Sequence, residues 1–342
     1  MGLFRRRVLK TAGLSPIAEF WRWWTASGEA KFTAAIASGR YGDLPDEITA
    51  KVMAIHPELQ WDTRQGEASE HVLCVTAAGV AVLRPLAERW FRAAPPASET
   101  WEFAAARRRD EEVLSAVLDF SGVNIELGSA RVGIHVDEEH AVLDVRVFHP
   151  LFTEIGENAS LQVTFLLLDW LLGEDDVERW LGEIETVLAD PEGSVPIGSL
   201  RDEVVAMAGR HSEPVWIMGE STTVTGKRVL VTARRPLRWI DHPLLDLHTG
   251  IRLPFSQQRD DGLPTPDALE RLREYEDRLV DALGERGLLV AVETFESQRV
   301  FHVYTDSEDQ NARDIIDTLD GNANAVNTHS MDPSWTRVRK FA

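Results

Sequence analysis

The sequence predicts an α+β protein of two tandem domains, each with an antiparallel sheet covered by helices, preceded by a short helical segment. Three observations lead there. From Gly262 to Phe341 the pattern runs helix, strand, strand, helix, strand; between Trp101 and Phe148 short alternating segments follow one another; and at 342 residues the chain exceeds what one core usually supports. The expected division is a helical segment over 1–56, an α+β domain over 57–190, a linker and connecting helix over 191–212, and a second α+β domain over 213–342.

From Ser15-Pro16 to Ile55 apolar residues recur at helical spacing. Phe20, Trp21 and Trp24 share one face, Phe32, Ala35 and Ile36 the next, and Ile48, Val52 and Ile55 follow the Leu44-Pro45 break. Trp21 and Trp24, with Trp335 near the other end, are the candidate partner-binding aromatics; packing against the body is the commoner fate of such residues. Upstream, Arg5-Arg6-Arg7-Val8-Leu9-Lys10 resembles the core of a twin-arginine signal, but Pro16, Glu19, Arg22 and the tryptophans replace the apolar region such a signal needs. A cytoplasmic location is therefore expected.

Leu59–Thr63 and Val72–Thr76 read as strands, Val80–Phe91 as a helix, and Trp101–Ala105, Val123–Leu127, Val132–Val136 and Val142–Phe148 as strands of one antiparallel sheet. Ala159–Leu172 is apolar all round, which marks a central helix. Asp175–Leu181 is a shorter helix, and Glu183–Val187 a closing strand. Asp190-Pro191-Glu192-Gly193-Ser194-Val195-Pro196 has linker composition, and Leu200–Met207 follows as a helix.

The second half opens on strands near Val215–Met218 and Val229–Ala233. Thr265-Pro266 starts a helix with the stripe Leu269, Leu272, Tyr275, Leu279, Leu283, and Gly284 and Gly287 stop it. Leu288–Val292 and Val300–Tyr304 form a hairpin; Ser307 with Gln310 is a capping-box pattern for a helix through Leu319; a last strand lies around Ala323–Thr328. With Leu245–Leu253 in front, the order becomes the split βαβ, or ferredoxin-like, arrangement.

A formal charge of −20 excludes nucleic acid and anionic membrane as general partners, because both demand a basic footprint. Residues 1–40 carry +5 and the remainder −25, a distribution suited to a basic protein partner or simply to solubility. The single cysteine, Cys74, excludes an intrachain disulfide and reads as strand core.

Chemistry-bearing patterns are few. His135-Val136-Asp137-Glu138-Glu139-His140 is the one cluster with metal-ligand character, and a hairpin could gather His135, Asp137 and His140 around zinc or manganese; a solvated turn would look the same. Asp169 and Glu174 could pair as general acid and base, although acids at a helix start also complement its dipole. Gly219-Glu220-Ser221-Thr222 and Gly226-Lys227-Arg228 lack the spacing of a phosphate loop and read as turns. Arg107-Arg108-Arg109 and Arg234-Arg235-Pro236-Leu237-Arg238-Trp239 could stack on RNA bases, but in so acidic a chain pairing with Asp and Glu is expected. No cofactor is implied.

His242-Pro243-Leu244, Ile251-Arg252-Leu253-Pro254, Asp261-Gly262-Leu263-Pro264, Glu276-Asp277-Arg278-Leu279, Phe301-His302-Val303-Tyr304 and Asp332-Pro333-Ser334-Trp335 appear in that order. On these, residues of about 213–342 resemble the bacterial family called domain of unknown function 695, which implies no catalytic residues. Such domains look similar to the regulator of ribonuclease E activity B, an acidic ferredoxin-like inhibitor, which implies a protein-binding role. The first half, with Phe20-Trp21-Arg22-Trp23 and Trp101-Glu102-Phe103, looks like the uncharacterised segment found upstream in some bacterial relatives.

The expected function is a non-enzymatic protein-binding or regulatory module acting through an acidic surface on a protein partner. One alternative is a metal-assisted hydrolase using His135, Asp137 and His140. Another is an immunity-type inhibitor of a basic toxin nuclease.

Overall fold

The computed structural model describes residues 14–120, 122–224, 226–321 and 324–341; Arg5–Lys10, with its resemblance to an export signal, lies outside them. The chain groups into two compact units, residues 1–78 with 86–105 and residues 79–85 with 106–342. No helix among the described residues is long and apolar enough to cross a membrane.

In the first unit Ser15 Oγ accepts the Ala18 amide at 3.2 Å and Pro16 opens α1 (Pro16–Trp23). One π turn, Trp24–Gly28, leads into α2 (Glu29–Ser38), and α3 spans Leu44–Ile55. β1 (Gln60–Gln65) runs antiparallel to β2 (His71–Thr76). The chain then passes through α4 (Arg84–Arg92) to β3 (Trp101–Ala104), which pairs parallel with β2. A parallel pair needs such a crossover, so β3 stays with β2 rather than joining the strands that follow it. Phe20, Trp24, Phe32, Trp90 and Trp101 are fully or almost fully buried here. Their polar edges are partly met from inside: Trp21 Nε1 donates to Trp90 O at 2.8 Å, and Trp101 Nε1 to Thr33 Oγ1 at 2.9 Å.

The second unit begins its own sheets with a small hairpin, β4 (Val117–Phe120) and β5 (Val123–Glu126). A four-stranded sheet follows, in the order β8-β7-β6-β9, from β6 (Arg131–Asp137), β7 (Val142–Phe148), β8 (Leu181–Val187) and β9 (Val195–Pro196). Between β7 and β8 come α5 (Phe152–Ile155), α6 (Glu157–Leu172) and α7 (Glu174–Trp180), and the crossover again makes the joined strands parallel. Thus the single antiparallel sheet expected from Trp101 to Phe148 is divided among three sheets. α6 is the central helix the composition predicts: Val163, Leu167, Leu168 and Leu171 are buried against Val132, Leu143, Val145 and Val147 of the sheet. Residues 191–212 are not a spacer. β9 pairs with β6, and Leu200, Val204 and Met207 of α8 (Ser199–Arg210) lie in the same core. Proline and glycine there shape a tight path along the sheet edge, which composition alone cannot tell from a linker.

The third sheet holds β10 (Val215–Thr222), β11 (Arg228–Arg235), β12 (Leu247–Pro254), β13 (Gly287–Phe295), β14 (Gln298–Thr305) and β15 (Val326–Met331) in the order β10-β11-β13-β14-β12-β15, every neighbouring pair antiparallel. α9 (Pro266–Leu283) connects β12 to β13, and α10 (Gln310–Gly321) connects β14 to β15. The two crossovers interleave as a split βαβ, with the β10–β11 hairpin added beside β13. Thr265 Oγ1 caps α9 through the Ala268 amide at 3.4 Å. Helix α10 is capped differently from the Ser307/Gln310 expectation: Asp309 Oδ1 accepts the Asn311 and Ala312 amides, while Ser307 donates its amide and hydroxyl to buried Asp246. The carboxylate of Asp246, distant in sequence, outcompetes the local box.

Both faces of this sheet are covered. Ile251, Leu253, Phe301, Val303 and Val292 pack on Leu272, Tyr275, Leu279, Ala312 and Ile316 of the helices. On the other face Ala233, Ala291 and Tyr304 meet Trp239, Ile240, Trp335, Val338 and Phe341. Double coverage explains why Phe301-His302-Val303-Tyr304 is buried without alternation. Asp332 fastens the second cover: it accepts Tyr304 OH at 2.6 Å, the Thr336 hydroxyl at 2.6 Å and amide at 2.9 Å, and the Arg337 amide at 2.9 Å. Trp335, at φ +50°, donates Nε1 to Leu245 O at 2.9 Å and stacks on Tyr304 at 4.6 Å. A tryptophan holds that left-handed conformation only where its surroundings over-determine it. Replacing Tyr304 by Phe removes one charge-assisted hydrogen bond while keeping the ring, and should lower stability by about 1.5–3 kcal/mol. Urea unfolding followed by tryptophan fluorescence measures it; an unchanged midpoint would mean that Asp332 does not act through Tyr304.

Candidate functional site

Alternation along β6, β7 and β8 sorts their side chains onto two faces. Val132, Leu143, Val145 and Val147 turn to α6, while Gly133, His135, Asp144, Arg146, Glu183 and Glu185 line a shallow pocket of about 130 Å³ on the opposite face. The register brings the pocket residues together, with His135 opposite Asp144, Gly133 opposite Arg146, and Arg146 opposite Glu185. Asp144 also holds the β7–β8 irregularity between Leu143 and Val145: its Oδ1 accepts the Glu183 amide at 2.8 Å. The same oxygen stands so close to where a Cβ on Gly182 would be that any larger residue there would have to push the Asp144 carboxylate aside. Three carboxylates with one imidazole and one guanidinium suit a cationic guest, and the pocket has room for the end of one side chain.

The surrounding segment shares that bias. Residues 106–212 contain twenty-two Asp and Glu against eight arginines and no lysine, a net −14, whereas residues 1–105 balance at twelve of each sign.

Of the three residues that the sequence groups as a metal site, the structure joins Asp137 to His140 and leaves His135 outside the pair. Asp137 Oδ1 accepts the His140 amide at 3.0 Å and its Oδ2 meets His140 Nδ1 at 2.7 Å, which closes the β6–β7 turn. The backbone hydrogen bond from His140, followed by its side chain, holds the Asp137 carboxyl below the ordinary range. His135 lines the pocket instead, and among the described residues no three His, Cys, Asp or Glu side chains are grouped to hold a metal ion. The hairpin uses Asp137 and His140 as turn-makers, a role that the sequence pattern equally allows. Glu138 reaches His211 Nε2 at 2.9 Å and Arg210 at 3.0 Å.

Asp169 and Glu174 do come together, but Glu174 is engaged by Arg107, through Nη1 at 2.7 Å and the backbone amide at 2.8 Å. Burial and then the Glu174 charge push Asp169 up to about 6. The other arginine clusters are also used internally. Arg235 Nη1 lies 3.5 Å from Glu139 Oε1, Arg238 covers the Trp180 ring at 3.9 Å, and Trp239 Nε1 donates to Glu178 at 2.7 Å. Arg235 thus has the acidic neighbour expected of it, while Arg238 is covered by the protein's own tryptophan rather than left free to stack on RNA bases.

Trp21, Trp24 and Trp335 are core residues, the most exposed of them 6% accessible, so none presents a face to a partner. Cys74 is likewise buried, as expected for the middle of β2. Sequence reasoning missed a polar row on the second face of the large sheet. His248 Nε2 meets His302 Nδ1 at 3.0 Å, His302 Nε2 meets Glu293 Oε1 at 2.9 Å, and Lys340 Nζ reaches the same oxygen at 3.0 Å. With both rings neutral the row is satisfied when His302 donates Nε2–H to the carboxylate and accepts from His248 Nε2–H. Burial raises the Glu293 carboxyl, but hydrogen bonds from His302 and Lys340 outweigh it and leave the group below its ordinary range. Burial, and secondarily His302, pushes His248 down to about 4. Gly250 makes room, since a Cβ there would stand 3.4 Å from His248 Cε1 and 3.0 Å from Thr328 Oγ1. Strand period and histidine spacing could have placed His248 and His302 on one face, but only the register puts them in contact.

Residues 223–341 match a family of unknown function, DUF695. No curated protein and no solved structure matches the chain. The matched segment begins just after β10 and includes the Asp332 clasp and the His248–His302–Glu293 row.

Two pH responses of opposite sign follow. Unfolded His248 takes up a proton near its ordinary 6.5 and folded His248 only near 4, so its contribution is present above about 6.5 and disappears as pH falls toward 4, by up to about 3 kcal/mol. Asp169 keeps its proton to about 6 when folded and loses it near 3.8 when unfolded, so its contribution disappears as pH rises through that window. Asp169→Asn should stabilise the protein at neutral pH by about 1 kcal/mol, allowing for its partial contact with solvent, and His248→Gln should flatten the acid limb. Melting temperatures from pH 4 to 8 (about the span of both windows) test both; slopes identical to wild type would refute these assignments.

Proposed function

We propose that residues 106–212 form a protein-binding surface for a basic partner, regulatory rather than catalytic, with the β6–β7–β8 pocket receiving a lysine or arginine of that partner. The concentration of twenty-two acids against eight arginines in this segment carries the reading. A single-sign field of this size accelerates encounter with a basic protein and repels nucleic acid. The pocket, lined by Asp144, Glu183 and Glu185, supplies the concave feature that a diffuse field lacks.

Capture experiments with the immobilised full chain test the reading by charge reversal. Proteins rich in lysine and arginine should be retained at about 0.1 M salt, released at about 0.5 M as screening shortens to a few ångströms, and lost with the Glu183→Lys/Glu185→Lys double variant. Far-UV circular dichroism should be the same for both proteins. Retention of the same proteins by the variant, retention independent of salt, or no specific retention would each overturn it.

A further inference from the structure

On the second face of the six-stranded sheet, His248 of β12, His302 of β14 and Glu293 of β13 form a row whose bonding depends on how many protons it holds. With both rings neutral, His248 donates to His302 and His302 to the carboxylate. One added proton is also accommodated. His302 then donates from both nitrogens, Nε2–H to Glu293 and Nδ1–H to His248 Nε2, and the proton of neutral His248 moves to its own Nδ1. No bond is lost, and the imidazolium lies against a carboxylate. A second proton has no such solution. It sets N–H against N–H across 3.0 Å, on two cations that are only 5% and 8% accessible.

The surroundings of the row decide what gives way. β14 is flanked by β13 and β12, and β12 by β14 and β15, so both histidines stand on strands paired along two sides. Residues 332–341, which cover them, join no ladder among the described residues. Two contacts that hold this cover are made with the row itself: Lys340 Nζ reaches Glu293 at 3.0 Å, and the Phe341 ring lies edge-on to His302 at 5.3 Å. Charged groups approach from every neighbouring element. The cover supplies Asp332, Arg337 and Lys340, and β11 supplies Arg235, whose Nε donates to Phe341 O at 3.1 Å. Tyr304 of β14 stands 5.1 Å from His248, while His329 of β15 bonds Thr249 on the other face. His242, influenced by Asp241 and Arg234, stacks on Trp335 at 5.8 Å. Charging both histidines of the row therefore adds two cations beneath a cover that already carries Arg337 and Lys340.

We propose that the row is an acid-sensitive latch on the C-terminal cover: it holds one proton without loss, and uptake of a second frees residues 332–341 from the sheet while the strands stay paired. Release uncovers Ala233, Ala291 and Tyr304 together with Trp335, Val338 and Phe341, an apolar face that is closed at neutral pH. Burial, and secondarily His302, hold His248 down to about 4, which suits a row that resists its second proton while covered. Once the cover leaves, that restraint leaves with it, so proton uptake and release reinforce one another. The row shares no residue with the β6–β7–β8 pocket, and the latch does not depend on the proposed binding of a basic partner.

Amide hydrogen exchange on the full chain, read by mass spectrometry from about pH 7 to about pH 4 and normalised to the rates of unstructured peptides, separates the cover from the strands beneath it. Protection across residues 332–341 should fall about tenfold or more between about pH 6 and about pH 4, while β12 and β14 keep theirs. His248→Gln is neutral throughout and can donate to His302 or accept from it, so it should hold the cover closed at about pH 4. His302→Gln leaves one titratable ring in the row and should do the same, and either variant decides the matter if the other fails to fold. Loss of protection in cover and strands together, a wild-type cover still protected at about pH 4, or opening of the variants as in wild type would overturn the inference.

Discussion

The Asp332 carboxylate organises more of this molecule than any other single group. Four donors converge on it, from Tyr304, Thr336 and Arg337, and they fix the turn that carries Trp335, Val338 and Phe341 over the second face of the large sheet. Without that cover, His248, His302 and Glu293 would stand in water, and their hydrogen bonds would compete with solvent on equal terms. With it, the same bonds lie in a medium where each is stronger and an unmatched group is costly. The left-handed backbone at Trp335 belongs to the same device, since indole stacking and the bond to Leu245 hold it in place.

Much of this was legible in the sequence wherever the signal was local. The Thr265 cap, the Leu272-Tyr275-Leu279-Leu283 stripe and the β13–β14 hairpin are written in spacings of two to four residues, and the structure contains them. The interleaved order of strands and helices followed from those elements. What failed to show was decided over long separations. Ser307 has the pattern of a cap, but Asp246, sixty-one residues away, claims its hydrogen bonds. The parallel pairing of β2 with β3 and of β7 with β8 depends on helical crossovers, which leave no mark in the strands themselves.

The candidate site divides along the same line. His135, Asp137 and His140 are close in sequence, yet a turn needs Asp137 and His140 for its own hydrogen bonds, and His135 lines a pocket whose charged members come from β7 and β8. Proximity in sequence was a poor guide because the turn takes up Asp137 and His140 in its own hydrogen bonds. Charge was a better one. The acidity that marks the chain as a whole proves to be concentrated between β3 and β10, in the segment that carries the pocket.

The placement of β12 bears on how the molecule comes into being on the ribosome. This strand is internal, between β14 and β15, but β15 is synthesised some seventy residues after it. At an elongation rate of about 5–20 residues per second, one side of β12 stays bare for seconds after β12 itself has been made. The clasp follows later still, so the histidine row becomes dry only once residues 332–341 have been made. A premature stop between β14 and β15 would leave the sheet permanently in that unguarded form.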